Sequence, residues 1–143
     1  MILPTSSVAI VGFGARAASF AALLAPRGVA LRAWDARLAT VQGEALRVWI
    51  ESAGVDAVTE LASALRGARL VVLDAPAMAV QDLPLRAGQQ LLDLARAGAA
   101  EVSAVLVALG MPPAQARWEE VGEATVPPSA TGASPAVRRG ELP

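Results

Sequence analysis

Short runs of consecutive apolar residues alternate along this chain with stretches in which apolar residues recur at helical spacing. The apolar runs predict five strands, at residues 8–11, 29–34, 55–58, 70–75 and 90–94. The helical spacing predicts helices between them, at residues 14–25, 38–53, 60–65 and 98–109. Continuous apolar strands are typical of a parallel sheet that is covered on both faces. The alternation therefore predicts an α/β fold with a doubly wound parallel sheet.

The pattern weakens towards the carboxyl terminus. Residues 77–89 predict a helical turn and a loop around Pro84. A sixth strand is predicted at residues 118–124, although its three glutamates are unusual in a buried strand. The sequence that follows is rich in Pro, Ser, Gly and Thr, which favours a loop or tail. We therefore expect one domain over residues 1–125 and a tail over residues 126–143.

The first predicted strand runs directly into a glycine-rich turn that opens the first helix, Gly12-Phe13-Gly14-Ala15-Arg16-Ala17. Gly12 permits a tight turn, Gly14 leaves room for a pyrophosphate beside the backbone, and Ala17 lets the helix pack closely on the strand. The first N–H groups of that helix and its positive dipole end attract phosphate. A G-x-G-x-x-A pattern between strand and helix is the dinucleotide-binding fingerprint of a Rossmann unit. We therefore expect residues 12–17 to bind the cofactor; glycines that merely turn the chain are the alternative.

The second predicted strand ends at Asp35, about twenty residues beyond Gly14, as the same fingerprint requires. Its carboxylate would accept hydrogen bonds from the ribose hydroxyls of NAD and repel the 2′-phosphate of NADP, so we predict NAD as the cofactor. NADP is the alternative because Arg37 would pair with that phosphate. A solvated aspartate at a strand end is the plain structural interpretation of Asp35. Ala75 and Pro76 mark the carboxyl end of the fourth strand, so they are also predicted to contact the cofactor.

The composition excludes several catalytic chemistries. The chain has 143 residues, 55% of them hydrophobic, a formal net charge of −1, and no lysine, histidine, cysteine or tyrosine. Without cysteine there is no disulfide or thiol nucleophile, and without histidine there is no Ser-His-Asp triad and no predicted metal site. The absence of lysine and tyrosine excludes Schiff bases and the Tyr-Lys pair of short-chain dehydrogenases. The nearly neutral charge predicts no binding to nucleic acid or to an anionic membrane.

Location and assembly can also be predicted from the sequence. No positive charge precedes the first apolar run, and Arg16 interrupts the longest one. A secretory signal and a membrane span are therefore not expected, which leaves the cytoplasm. Mean hydropathy is +0.49, which is high for a single domain. We expect the excess apolar surface to be covered, most simply in a homo-oligomer such as a dimer.

Four segments of the chain resemble the nucleotide-binding domain of the 6-phosphogluconate dehydrogenase and 3-hydroxyisobutyrate dehydrogenase group. They are Val8-Ala9-Ile10-Val11-Gly12-Phe13-Gly14, Ala33-Trp34-Asp35-Ala36-Arg37, Gly67-Ala68-Arg69-Leu70-Val71-Val72-Leu73-Asp74-Ala75-Pro76 and Leu91-Leu92-Asp93-Leu94. The first two segments are specific, and the other two are generic α/β sequence. The resemblance covers most of the chain and implies the cofactor domain of an NAD(P)-dependent oxidoreductase.

Two features of that group have no counterpart in this sequence. Its enzymes have a serine-containing loop after the fifth strand, where this chain has Leu94-Ala95-Arg96-Ala97. They also carry a catalytic lysine on an all-helical C-terminal domain, whereas this chain has no lysine. The resemblance therefore implies the cofactor site but not the catalytic residues. It also implies that a missing helical domain or a second copy of the chain covers part of the surface.

Three functions stay open. An oxidoreductase would exchange its proton with Asp74, Ser103, water or another chain, and Arg96 would hold a substrate carboxylate. A structural acid and a solvated arginine are the ordinary interpretations of Asp74 and Arg96. The alternative is a non-catalytic Rossmann module that dimerises or docks onto a partner. A methyltransferase, which has a similar glycine loop and acid, is the third class, and no catalytic residue is assigned in any of them.

Overall fold

The sheet of this protein is built around its first strand. A computed structural model describes residues 7–74 and 83–118. The strands in these ranges are β1 (Ser7–Val11), β2 (Ala30–Trp34), β3 (Asp56–Ala57), β4 (Leu70–Leu73) and β5 (Gln90–Asp93). All neighbouring strands pair in parallel, in the order β3-β2-β1-β4-β5. The predicted α/β parallel sheet is confirmed, and β1 lies at its centre, where the strand order reverses.

Four α-helices are described, and they cover both faces of the sheet. They are α1 (Ala15–Leu24), α2 (Gly43–Ser52), α3 (Leu61–Leu65) and α4 (Ala99–Ala108). The apolar residues of α1, α2 and α4 pack on one face, and those of α3 pack on the other. Each helix lies in a range where the apolar spacing predicted one. Among the described helices, none is both long and apolar enough to cross a lipid bilayer.

The second predicted helix, at residues 38–53, was wrong in its first part. A 3-10 turn occupies Ala36–Ala39, and α2 begins only after a further turn. Two side chains explain the difference, because each accepts a hydrogen bond from the backbone N–H two residues on. The distances are 2.8 Å for Asp35 Oδ1 and 3.1 Å for Thr40 Oγ1. Such local hydrogen bonds compete with helix formation, and an apolar periodicity does not record them.

The central strand is apolar from Val8 to Val11, so the sheet has a core on both faces. Val8 and Ile10 belong to the core on the side of α1, α2 and α4, whereas Ala9 and Val11 belong to the core on the side of α3. All four side chains are fully buried. The turn that follows β1 therefore starts from a strand that is packed on both sides.

The last described residues pack back against α1. Trp118 is buried, and its ring meets the edge of Phe20 at a centroid distance of 6.0 Å. Its backbone N–H donates a hydrogen bond to Ser103 Oγ on α4 (3.1 Å). These contacts bring the carboxyl end of the described chain onto the first helix.

Several predicted features lie outside the described residues. They are the tail at residues 126–143 and, apart from Trp118, the sixth strand at residues 118–124. Of the predicted turn and loop at residues 77–89, only residues 83–89 are described. These residues form a loop with a turn and no helix.

Candidate functional site

Backbone hydrogen bonds hold the glycine turn after β1 to the strands on both sides of it. Gly12 has a φ of +82°, in the left-handed region that favours glycine. Its N–H donates to the carbonyl of Trp34 at the end of β2 (2.8 Å). On the other side, the N–H of Asp74 donates to the carbonyl of Val11 (2.9 Å). The turn therefore begins where the strand order reverses, which is where α/β sheets bind ligands.

Gly14 caps the amino end of α1 and lies against Asp74. A Cβ added to Gly14 would come within 3.0 Å of Asp74 Oδ2, which is closer than an ordinary contact. The φ of Gly14 is −120°, which any residue can adopt, so crowding and not backbone conformation favours glycine here. Ala17 is fully buried in the core under α1. Small residues at these two positions let the first turn of α1 lie close to the sheet.

Asp35 connects the end of β2 to the glycine turn. Its Oδ2 accepts a hydrogen bond from the N–H of Phe13 (2.9 Å). The guanidinium of Arg37 pairs with both oxygens of the same carboxylate, with Nε 3.0 Å from Oδ1 and Nη2 2.8 Å from Oδ2. Nη2 also donates to the carbonyl of Phe13 (2.9 Å). One carboxylate and one guanidinium therefore hold both backbone polar groups of Phe13.

The side chain of Phe13 belongs to the core and not to the crevice. It is fully buried, and its ring meets Trp49 of α2 edge-on, with a centroid distance of 5.0 Å and an interplanar angle of 84°. Edge-to-face contact is a favoured geometry for aromatic pairs. Phe13 therefore shapes the glycine turn through its backbone, while its ring anchors the turn to α2.

The surroundings of Asp35 keep its carboxyl ionised. Burial raises the pKa of Asp35, but hydrogen bonds from the Arg37 side chain, from the N–H of Phe13 and from the N–H of Arg37 together lower it by more. The pKa of Asp35 therefore lies below its usual value. The side-chain hydrogen bond to Asp35 raises the pKa of Arg37, so the pair is fully charged at neutral pH.

Asp74 approaches the same turn from β4, and no described side chain pairs with it as Arg37 pairs with Asp35. Its Oδ2 accepts a hydrogen bond from the N–H of Ala17 in the first turn of α1 (2.8 Å). Burial raises the pKa of Asp74, and backbone hydrogen bonds from Ala17 and Gly14 and the charge of Arg16 offset only part of that effect. The charge of Asp93 on β5 raises it further. The sequence singled out Asp74 as a proton donor or structural acid, but its contact with α1 was not foreseen.

Two further donors lie at the amino end of α1. Ala15 and Arg16 occupy its first positions, where backbone N–H groups have no acceptor within the helix. Such N–H groups at the positive end of a helix dipole are the donors that a bound anion meets. Ala75 and Pro76, which the sequence predicted to contact the cofactor from β4, lie outside the described residues.

The other candidate side chains have different partners. Arg96 is 87% exposed, and its Nε lies 3.8 Å from Asp93 Oδ2, which fits a solvated arginine. Ser103 Oγ accepts the hydrogen bond from Trp118. Within residues 7–74 and 83–118, neither side chain is hydrogen-bonded to the glycine turn. In the same ranges, no three acidic side chains gather as metal ligands would.

No family model and no curated protein matches this chain. Among solved structures it is similar to an imine reductase from Bacillus cereus, with 16% identity and a TM-score of 0.50, over 76% of this chain and 42% of that one. It is also similar to glycerol-3-phosphate dehydrogenase from Coxiella burnetii (18% identity, TM-score 0.49, 62% and 32% covered). A third similar structure is an imine reductase variant from Myxococcus stipitatus in complex with NAD+. Its identity is 17% and its TM-score 0.48, over 72% of this chain and 34% of that one. The chain spans less than half the length of each of these proteins, and the first likeness supports a shared fold alone.

Proposed function

We propose that this chain is the NAD(P)-binding domain of an oxidoreductase that resembles the 6-phosphogluconate and 3-hydroxy acid dehydrogenase group. The observation that carries the proposal is the hydrogen bond from the N–H of Phe13 to Asp35. It joins the glycine turn at the amino end of α1 to an ionised carboxylate at the end of β2. These are the phosphate-binding and ribose-binding halves of a dinucleotide site.

The residues present fit a dinucleotide in two respects. Ala15 and Arg16 offer N–H groups to the diphosphate at the positive end of α1. Asp35 offers an ionised acceptor to the ribose hydroxyls. Ala75 and Pro76 are proposed, from their place in the sequence, to complete the crevice on the side of β4. A bound nicotinamide would supply the hydride chemistry, while these residues bind and orient it.

NAD is the proposed cofactor, and NADP is its competitor. Asp35 keeps a negative charge where a 2′-phosphate would bind. The positive charge of Arg37 is already compensated, because the guanidinium is bonded to both oxygens of that carboxylate. A ribose hydroxyl need replace only one of these hydrogen bonds, whereas a phosphate would have to draw the whole guanidinium away.

Catalysis also needs a group that exchanges a proton with the substrate. Without lysine, histidine or tyrosine, the chain offers only carboxylates, serines and water for that role. We therefore propose that this chain alone is a poor catalyst, and that a helical domain or another chain supplies the missing group. A substrate oxidised by this chain with NAD at an ordinary enzymatic rate would contradict the proposal.

We also propose that the chain self-associates. The compartment that we propose for it is the cytoplasm. Val41, just before α2, and Val48, on α2, are large apolar side chains exposed by 102% and 54%. A twofold dimer is the commonest way to cover such a surface. Light scattering at micromolar concentration should report a dimer, and replacing both valines by serine should shift it towards the monomer. A monomeric wild-type protein would exclude self-association through this surface.

The binding proposal is tested by titrating the protein with NADH and NADPH and following fluorescence. Gly14→Val should abolish NADH binding, because the added side chain fills the space beside the diphosphate. Gly98→Val is the matched control, since Gly98 caps the ten-residue helix α4 and a Cβ there meets nothing within 4 Å. Circular dichroism checks the fold of both variants, and Gly14→Ala serves as a milder second variant. Undiminished NADH binding in folded Gly14→Val would refute the proposed site.

A second candidate function is a Rossmann module that dimerises or docks without catalysis. The observation that favours it is Asp74, whose carboxylate already accepts from an N–H of α1 beside the proposed diphosphate site. This candidate would be favoured if neither NADH nor NADPH binds, either to the wild-type protein or to Asp74→Asn.

A further inference from the structure

Asp74 places a carboxylate next to the position where the diphosphate of the proposed cofactor would bind. The diphosphate of a dinucleotide binds at the first N–H groups of the helix that follows the glycine turn. In this protein the N–H of Ala17 is bonded to Asp74 Oδ2 at 2.8 Å. The same oxygen lies 3.0 Å from where a Cβ of Gly14 would be. The carboxylate therefore borders the space that the missing side chain of Gly14 leaves open.

We propose that Asp74 is an internal anion of this site, which lies beside the phosphate position at α1 and takes up a proton when a dinucleotide binds. The inference rests on the proposed dinucleotide function. It adds that the charge of Asp74 controls the affinity for the dinucleotide. The neutral carboxyl group no longer repels the diphosphate. Asp74 is then a specificity-determining residue, because it disfavours anionic ligands whenever it is ionised.

Among the described residues, the charged groups around Asp74 come from three parts of the fold. Arg16 on α1 and Arg37 after β2 carry positive charges that favour its ionised form. Asp93 on β5 carries a negative charge that disfavours it, in the same direction as burial. Burial and Asp93 hold the pKa of Asp74 above its usual value even without a ligand. A phosphate near Ala17 would add a further negative charge within a few ångströms and raise that pKa again.

The consequence is a linkage between pH and affinity. Since the pKa of Asp74 is higher in the complex than in the free protein, the complex holds one more proton at any pH between the two values. NADH affinity therefore increases as the pH falls through that window, by up to about tenfold per pH unit. Below and above the window, Asp74 no longer contributes to the pH dependence.

Isothermal titration calorimetry of the unmodified protein with NADH, in buffers of different ionisation enthalpy, measures the proton uptake directly. We expect NADH binding to take up protons and to become tighter as the pH is lowered. Asp74→Asn keeps an oxygen that accepts from Ala17 but carries no charge. It should bind NADH about tenfold tighter than the wild type at about pH 8, without proton uptake.

Glu101→Gln is the matched control, because it removes an exposed carboxylate in the first turn of another helix, α4. This variant should retain the proton uptake of the wild type. Equal NADH affinity of the wild type and Asp74→Asn, with no proton uptake, would overturn the inference and leave the proposed function intact. Binding by neither protein would overturn the proposed function, and the inference with it. Calorimetry on the unmodified protein tests the proton uptake even if Asp74→Asn does not fold.

Discussion

Asp35 and Asp74 lie at the carboxyl ends of the two strands that flank β1, and each accepts a hydrogen bond from the segment that follows β1. Asp35 Oδ2 lies 2.9 Å from the nitrogen of Phe13, and Asp74 Oδ2 lies 2.8 Å from the nitrogen of Ala17. The two residues are 7% and 8% exposed. Their pKa values nevertheless move in opposite directions, below the usual value for Asp35 and above it for Asp74.

The partner, and not the depth of burial, makes this difference. Arg37 gives Asp35 direct hydrogen bonds and a compensating charge. Arg16 acts on Asp74 only through its charge, and within residues 7–74 and 83–118 Asp74 forms no salt bridge. A paired carboxylate stays an anion and suits hydroxyl donors such as those of ribose. An unpaired buried carboxylate responds to the charge of whatever binds beside it.

Removing each carboxylate should produce the largest contrast. Asp35→Ala leaves the N–H of Phe13 and the guanidinium of Arg37 without their acceptor, so we expect the free energy of unfolding to fall by about 2–3 kcal/mol. Asp74→Ala removes a cap of α1 but also a poorly solvated charge, so we expect a loss of about 1 kcal/mol or less. Urea unfolding at neutral pH measures both values.

The control for this pair is Asp93→Ala. Its carboxylate accepts from the N–H of Ala95 in an exposed turn, so the expected loss is about 0.5 kcal/mol. A greater loss for Asp74→Ala than for Asp35→Ala would show that Arg37 does not distinguish the two sites energetically.

The pH dependence of stability should sharpen the comparison. In the unfolded chain the carboxyl groups of Asp35 and Asp74 both have a pKa of about 3.9. The folded pKa of Asp35 is lower, so its stabilisation is present above the unfolded value and is lost as the pH falls through the folded value. The folded pKa of Asp74 is higher, so the protein loses stability as the pH rises from the unfolded value through the folded one.

Urea unfolding of Asp35→Asn and Asp74→Asn across this pH range separates the two contributions. Asp35→Asn should remove the loss on the acid side, and Asp74→Asn should remove the loss that accompanies rising pH. An Asp74→Asn profile with the same slope as the wild type would mean that Asp74 titrates alike in the folded and unfolded chains.

Cofactor selectivity should show the smallest effect. Arg37→Ala exposes the charge of Asp35 and should favour NADH, whereas Asp35→Asn frees the guanidinium of Arg37 and should favour NADPH. We expect the ratio of the two dissociation constants to change about fivefold in each direction. Fluorescence titration measures both constants, and Arg96→Ala, whose side chain is 87% exposed, should leave the ratio unchanged. Unchanged ratios in the first two variants would exclude the pair from cofactor selection.

Much of the fold was predictable because its signals are local. Each of β1 to β5 lies within a predicted apolar run or one residue beyond it, since the flanking turn residues leave such a run little room to shift. The start of α2 was not predictable in this way. There the side chains of Asp35 and Thr40 bond to nearby backbone, and apolar spacing contains no information about those hydrogen bonds.

The sequence by itself determined the unit of β1, glycine turn and α1, together with the acid after β2, because spacing within one contiguous segment sets their geometry. Only the tertiary structure decided that Asp74, which the sequence had placed at the carboxyl end of β4, contacts the first turn of α1. Asp74 and Ala17 are 57 residues apart, and they meet because β4 pairs with β1 while α1 starts directly beyond β1. The burial of Asp74 also arises from that packing, as does its lack of a salt bridge within residues 7–74 and 83–118. A contact between residues so far apart in the sequence leaves no local sequence pattern. The pKa of such a carboxyl group depends on neighbours that only the folded chain brings together.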